Sequence, residues 1–360
     1  MKRRTILDDL PVGRRYLLRG ALASAKLTRR LNRHKCVSQG EGILVVTFAN
    51  LGDQIRMMNV LSRVIDREAS IDIFCNAGTE SVFDLYPSVR ATLGFTSQGA
   101  AGLRAAFMRI FSRSARYDLA LVPQPFITQP IALALAETYA SRVKALSQVK
   151  QRFRKTQLIE IDRRSWQCAY EGFFTTALGL PIARERPAIG PRYLYSGEEQ
   201  DLVVAHLFTS AASRAIDRNA AAAIVQRVTE RGFKVALIGA AAERPTLDAL
   251  ATHVNAKVYA GRSIAEIAEL LARARLFVGL DSSMMNLSDA IGTPSVIVYP
   301  RTAPAVAGPF HTFTHAVVPD EYEPAGVETV TSWRETKSAK IATSTILAQI
   351  EAALPAMTQP

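Results

Sequence analysis

From residue 43 onward, short β-branched apolar runs alternate with stretches where apolar residues recur every three or four positions. Ile43-Leu-Val-Val-Thr-Phe48 is continuous and ends in the polar turn Ala49-Asn-Leu-Gly-Asp53, which predicts a buried strand. Ile55, Met58, Leu61, Val64 and Ile65 follow at helical spacing and predict a helix over 54–66. The same reading predicts a strand over 71–75, a short helix over 79–86, a helix over 102–113, a strand over 118–122 stopped by Pro123 and Pro125, and helices over 127–138 and 165–178. After a stretch rich in Pro and charge, the alternation restarts. Strands are predicted over 201–206, 234–238, 257–259, 276–279 and 294–298, with helices over 216–231, 243–252, 263–273, 283–291 and 341–354 between and after them. Residues 302–340 carry no pattern that assigns them.

Strands alternating with helices imply parallel pairing and doubly wound sheets. Because the alternation occurs twice, the predicted fold class is α/β with two Rossmann-like domains facing a cleft. The predicted boundaries are a basic extension over 1–41, a first domain over 42–180, a linker over 181–200, a second domain over 201–340 and a C-terminal helical segment over 341–360. The chain has 360 residues, enough for two cores. Its 48% hydrophobic and 21% charged content is that of an ordinary soluble globular protein. No apolar run approaches the roughly 20 residues of a membrane-spanning helix.

Charge changes the picture at one end only. Residues 1–40 hold eleven Lys and Arg against Asp8 and Asp9, so +9 of the formal +12 lies in the leader. Laid on a helix, residues 14–33 put Leu17, Leu18, Ala21, Leu22 and Ala25 on one side, with Arg15, Arg19, Lys26, Arg30 and Arg33 beside them. One reading is an interfacial helix drawn to an anionic membrane surface through residues 1–40. The other is a basic tail, or a helix packed on the body. No motif for nucleic acid accompanies the charge, and Arg14, Arg15 and Arg19 interrupt any secretory-signal core. Cys36, Cys75 and Cys168 are odd in number and far apart, which argues against a disulfide framework and fits a reducing cytoplasm. His34, His206 and His253 are scattered and read as packing or surface residues. His311 and His315 are four apart but follow Pro309 without a third ligand, so no metal site is predicted.

Ligands of open α/β sheets sit beyond the carboxyl ends of the strands, and three turns lie there. In Asn50-Leu-Gly-Asp53, Asp53 opens a helix and reads either as its cap or as a general base. In the loop 206–214, Thr209, Ser210 and Ser213 offer hydroxyls and Arg214 a planar cation, a set that suits a diphosphate and equally describes a solvated loop. In Gly279-Leu-Asp-Ser-Ser283, Ser282 and Ser283 begin a helix whose N-terminus attracts phosphate, and Asp281 suits sugar hydroxyls or a cap. No Gly-x-Gly-x-x-Gly, Walker loop or Asp-x-Asp motif is present.

These turns, with Leu51-Gly52-Asp53, Arg231–Gly239, Gly261–Leu271 and Asp281–Pro294, resemble the heptosyltransferase family of lipopolysaccharide synthesis (glycosyltransferase family 9, GT-B fold) over roughly residues 43–310. The resemblance implies a metal-independent, inverting transfer of heptose or a related sugar from a nucleotide-sugar donor to a lipopolysaccharide or other lipid-linked or glycan acceptor, with no cofactor. It implies Asp53 as base and a donor site of Thr209, Ser210, Arg214, Arg262, Asp281, Ser282, Ser283 and Asn286. A cytoplasmic enzyme, peripheral on the inner membrane, follows from it. The chain has Asn286 where the family usually has His, Ser283 where it has Gly, Arg214 for its Lys and Phe208 for its Gly. These departures motivate a second reading, a non-catalytic nucleotide- or glycan-binding relative. A GT-B-like epimerase would require more acids and His around the sugar.

Overall fold

The apolar runs become the central strands of two separate sheets. The computed structural model describes residues 42–65, 69–95, 117–123, 130–146, 154–162, 164–209, 216–252, 254, 256–308, 314–319 and 340–354. The basic extension, the helix predicted over 102–113, Ser210, Arg214 and His311 lie outside these residues. The first sheet holds β1 (Ile43–Val46), β2 (Ile71–Asn76), β3 (Val89–Phe95), β4 (Tyr117–Val122), β5 (Ala140–Leu146) and β6 (Thr156–Ile159). The second holds β7 (Glu199–His206), β8 (Lys234–Gly239), β9 (Ala256–Ala260), β10 (Ala274–Leu280), β11 (Ser295–Val298) and β12 (Thr314–Val317). All pairs are parallel, in the orders β3-β2-β1-β4-β5-β6 and β12-β11-β10-β7-β8-β9. Each order reverses once, between β1 and β4 in one sheet and between β7 and β10 in the other. Crevices open at such reversals, outside the carboxyl ends of the strands.

The described helices are α1 (Leu51–Val64), α2 (Pro130–Tyr139), α3 (Trp166–Leu178), α4 (Arg218–Glu230), α5 (Arg244–Ala251), α6 (Ile264–Arg273), α7 (Ser283–Ile291), α8 (Pro304–Ala307) and α9 (Thr343–Ala353). β3, β5, β6 and β12 are strands that the apolar pattern does not announce, and β12 falls in the stretch left unassigned. α1 begins at Leu51, three residues ahead of its predicted start.

Because strand side chains alternate between faces, each sheet feeds two cores. Leu44 and Val46 of β1 join Phe74, Leu133 and Ala136 on the outer face of the first sheet. Val45, between them, joins a core that crosses to the second half and includes Ile55 and Met58 of α1, Phe173 of α3, Met285 and Leu287 of α7 and Phe277 of β10. A third core lies outside the second sheet, where Ile346, Ile350 and Leu354 of the C-terminal segment cover Val203, Val278 and Val296. Strands buried on both faces are what parallel sheets require.

α1 is the element that joins the halves. It packs on α3 of the first half and on α7 of the second, and every residue from Gln54 to Val64 is buried. The predicted linker is not a loose tether. Ala183 donates its N–H to Arg63 O, Gly190 to Leu85 O, Tyr195 to Ile291 O and Ser196 to Ala272 O, so it is stitched first to one half and then to the other. α7 ends as its sequence predicts. Gly292 takes a left-handed φ of 93°, a conformation that costs glycine nothing, and returns its N–H to Ser288 O.

Candidate active site

The three turns singled out in the sequence converge. A cavity of about 750 Å³ lies between the sheets, lined from the first half by Asp53 and Arg56 and from the second by His206, Thr209, Asp281 and Ser282. Ser283, Asn286 and Arg262 also line it. Its size is that of a small-molecule site. Of the predicted site residues, the structure brings together all that it describes, while Ser210 and Arg214 fall outside the described residues.

The β1–α1 turn is held from below. Asn76, the last residue of β2, donates Nδ2 to the carbonyls of Phe48 and Ala49, both at 2.9 Å, and Gln54 donates Nε2 to Ala49 O at 3.1 Å. Asn50 occupies the cap position of α1 but makes no side-chain cap bond. Asp53 is therefore not the cap. It is the third residue of the helix, where the dipole favours a carboxylate, and its side chain keeps 25% of its surface open. Arg56 donates Nη1 to Asp53 Oδ1 at 3.3 Å. The charge of Asp53 also reaches Tyr170 of α3, whose phenol is held well above its ordinary pKa, first by burial and then by that charge.

Gly52 lets two backbones approach closely. A Cβ there would stand 3.1 Å from Asn286 Nδ2 and 3.2 Å from Ser283 Cα. Its bare backbone lets α1 and α7 meet end to end. Asn286, expected to orient sugar or phosphate, instead has its carboxamide engaged by the protein. Oδ1 accepts from Arg56 Nε at 3.2 Å, and Nδ2 donates to Gly52 O at 3.2 Å and Ser282 O at 3.4 Å. Its backbone carbonyl accepts from Asn59 Nδ2 at 3.3 Å.

On the other wall, Asp281 closes β10 and is 6% exposed, with its N–H bonded to Val298 O. Ser282 takes the extended cap position of α7 without a side-chain cap bond. The first N–H groups of an α-helix have no intrahelical acceptor, and those of α7 begin at this wall. Ser282 Oγ lies 3.3 Å from His206 Nδ1. Burial alone lowers the imidazole to about 4, so His206 is neutral near pH 7. The sequence marked His206 only as the end of a strand and offered no partner for it. Arg262 stands at the rim, about half exposed, with Nη1 3.1 Å from Glu266 Oε1. Its neighbour Ser263 caps α6 through a reciprocal Ser–Glu pair with Glu266. Trp166, at the start of α3, and Glu243, after β8, also line the cavity, and neither carries a local motif that would have flagged it. Among the described residues, no group of three or more His, Cys, Asp or Glu is placed to hold a metal ion, and no helix is long and apolar enough to cross a membrane.

Two doubly wound sheets whose reversal points open on one shared cavity define the GT-B fold. The fold is that of E. coli heptosyltransferase WaaC with ADP, which matches with a TM-score of 0.66 at 15% identity over 87% of this chain and 99% of that one. A glycosyl transferase of family 9 from Veillonella parvula matches at 0.64 and 14% identity over 88% and 98% of the two chains. E. coli ADP-heptose lps heptosyltransferase II matches at 0.60 and 15% identity over 87% and 98%. Residues 185–335 match the model of glycosyltransferase family 9 (heptosyltransferase). That stretch, most of the second half of the chain, is what resembles glycosyltransferase family 9 in sequence. No curated protein matches it in sequence.

Proposed function

We propose that this protein is a glycosyltransferase that moves heptose or a related sugar from a nucleotide-sugar donor to a lipid-linked or glycan acceptor such as lipopolysaccharide, with inversion and without a required metal. One observation carries the reading: Asp53 and the N-terminus of α7, which belong to different halves of the chain, line the same cavity. The acceptor hydroxyl attacks the anomeric carbon from the Asp53 side and its proton passes to that carboxylate. The bond from the anomeric carbon to the phosphate oxygen breaks, and the nucleoside diphosphate leaves with the electron pair. The α7 N-terminus with Ser282 and Ser283, together with Thr209, Ser210 and Arg214, receives the diphosphate charge. Asp281 accepts hydrogen bonds from the sugar, and Arg262 at the rim faces the nucleoside. The basic residues 1–40 bring the protein to anionic lipid at the inner membrane from the cytoplasm.

The test is a transfer assay with a panel of ADP-, UDP- and GDP-sugars and a lipopolysaccharide-core acceptor, run with and without chelator. The expected result is nucleoside diphosphate release, a product of inverted anomeric configuration, and turnover that survives the chelator. Asp53→Asn should abolish transfer and leave nucleotide binding intact. The engagement of Asn286 by protein groups favours one alternative, a binding protein without turnover. Nucleotide binding with no transfer from any donor would select it.

A further inference from the structure

Arg56 has no part in the transfer as described, yet it lines the cavity and its side chain is tethered in several directions. It lies one turn beyond Asp53 on the same face of α1 and is only 5% exposed. Its three guanidinium nitrogens address three different elements. Nη1 donates to Asp53 Oδ1 at 3.3 Å on α1, Nε to Asn286 Oδ1 at 3.2 Å on α7, and Nη2 to Ala307 O at 3.2 Å on α8. The guanidinium carbon sits 5.4 Å from the centre of the Trp166 ring. Two of the three nitrogen contacts belong to the second half of the chain. A planar, always-charged fork can serve three directions at once, and an ammonium cannot reproduce that geometry.

A buried ion pair is weak evidence for stability, because desolvation offsets the attraction. What this arrangement supplies is direction. With Nε and Nη2 fixed by the second half, the Nη1 position is set, and the Asp53 carboxylate is set with it. We propose that Arg56 is the positioning residue of the transfer: it holds the Asp53 carboxylate toward the cavity and makes that orientation depend on the docked second half. The inference rests on the proposed role of Asp53 as base.

The experiment compares Arg56→Lys, Arg56→Ala and Asp53→Asn in the full chain for kcat, donor KM and nucleoside diphosphate affinity, with guanidinium chloride at low, non-denaturing concentration as a chemical rescue. Misplacement of a reacting group by about 1 Å costs on the order of 100-fold in rate. Arg56→Lys is therefore expected to lose about 100-fold in kcat while donor KM and diphosphate affinity stay within about threefold. Guanidinium should restore part of kcat in Arg56→Ala and none in Asp53→Asn. Turnover within about threefold of the parent in Arg56→Lys, with Asp53→Asn inactive, overturns the inference alone. So does a loss of diphosphate affinity that parallels the loss of kcat, or an Arg56→Ala variant that guanidinium leaves unchanged. Full turnover in Asp53→Asn instead overturns the reading of Asp53 as base.

Discussion

Gly52 and Ser283 meet across the two halves of the chain, so closely that a Cβ on Gly52 would stand 3.2 Å from Ser283 Cα. Asn286 Nδ2 is nearer still, at 3.1 Å, and it is held by bonds to Gly52 O and Ser282 O, so the backbone neighbour cannot rotate away and the side-chain neighbour is tied in place. The contact joins the start of α1 to the start of α7, the two helix ends that line the cavity. The Leu-Gly-Asp and Asp-Ser-Ser turns are therefore one structure, assembled from residues 231 positions apart.

Gly52→Ala should destabilise the protein even though the substitution lies in a helix, where replacing glycine ordinarily gains about 0.5–1 kcal/mol. Gly172 is the control. It lies within α3, and a Cβ there meets nothing within 4 Å. Gly172→Ala is expected to raise the unfolding midpoint, and Gly52→Ala to lower both the midpoint and turnover. Paired denaturant titrations and transfer assays measure the contrast. Equal behaviour of the two variants would mean that the approach of α1 to α7 is not tight in solution.

Much of this was legible in the chain, and the failures have physical causes. β1, β2, β7, β8 and β10 are nearly continuous apolar runs because both their faces are covered, and such runs stand out. β5 exposes Ser141 and Arg142, and β6, at the sheet edge, exposes Gln157 and Leu158, so neither presents a run to read. The candidate site was legible where it closes a strand, as at Asp53 and at Asp281–Ser283. It was not legible where function depends on a partner far along the chain. Asn286 looks like a ligand-facing amide until Arg56, 230 residues away, is seen to bind it. His206 looks like a stray histidine until Ser282, 76 residues on, lies beside it.

His206 makes stability depend on acid. Its folded-state pKa is lowered from the usual 6.5 to about 4 by burial, with no charged group contributing. Between those values the unfolded chain binds a proton that the folded one refuses, so stability is complete above about pH 6.5 and falls as pH drops toward about 4. The loss from this residue is at most about 3–4 kcal/mol, less whatever the partly buried ring recovers from solvent. His206→Asn should remove that part of the acid dependence. Denaturant midpoints of parent and variant, measured from pH 4 to pH 8, test it. Parallel curves would show that His206 titrates at its ordinary value.

The polar seam between α1 and α7 gives a second stability test. Arg63 is 5% exposed and Asp289 2% exposed. Burial lowers the pKa of Arg63, and the largest opposing influence is the charge of Asp289. Arg63 also donates Nη1 to Asn59 O at 2.6 Å, and Asn59 Oδ1 accepts from Tyr86 at 3.0 Å. The charge of Asp289 offsets part of the cost of burying Arg63, so removing it leaves a buried cation less compensated. Asp289→Ala should lower the unfolding midpoint. The double variant Arg63→Met with Asp289→Ala should lose less than the single one, since a neutral side chain of similar length then fills the seam. A double variant less stable than Asp289→Ala would show that Arg63 does not depend on Asp289.

The proposed contact of Asp281 with the sugar predicts that this residue separates binding of the nucleotide from binding of its sugar. The carboxylate is nearly buried at the end of β10, directly before the helix start that suits a diphosphate. A carboxylate repels phosphate and accepts hydrogen bonds from hydroxyls, so beside the diphosphate it suits the hydroxyls of the transferred sugar rather than the phosphates. Asp281→Ala should bind nucleoside diphosphate as well as the parent or better, while its affinity for the complete nucleotide sugar falls. Loss of a hydrogen bond to a charged acceptor is worth about 1.5–3 kcal/mol, or roughly tenfold to a hundredfold in Kd. Thermal-shift titrations with the diphosphate and with the sugar donor read both affinities, because a ligand that binds only the native state raises the melting temperature. Equal losses for the two ligands would place Asp281 in the support of α7 rather than against the sugar.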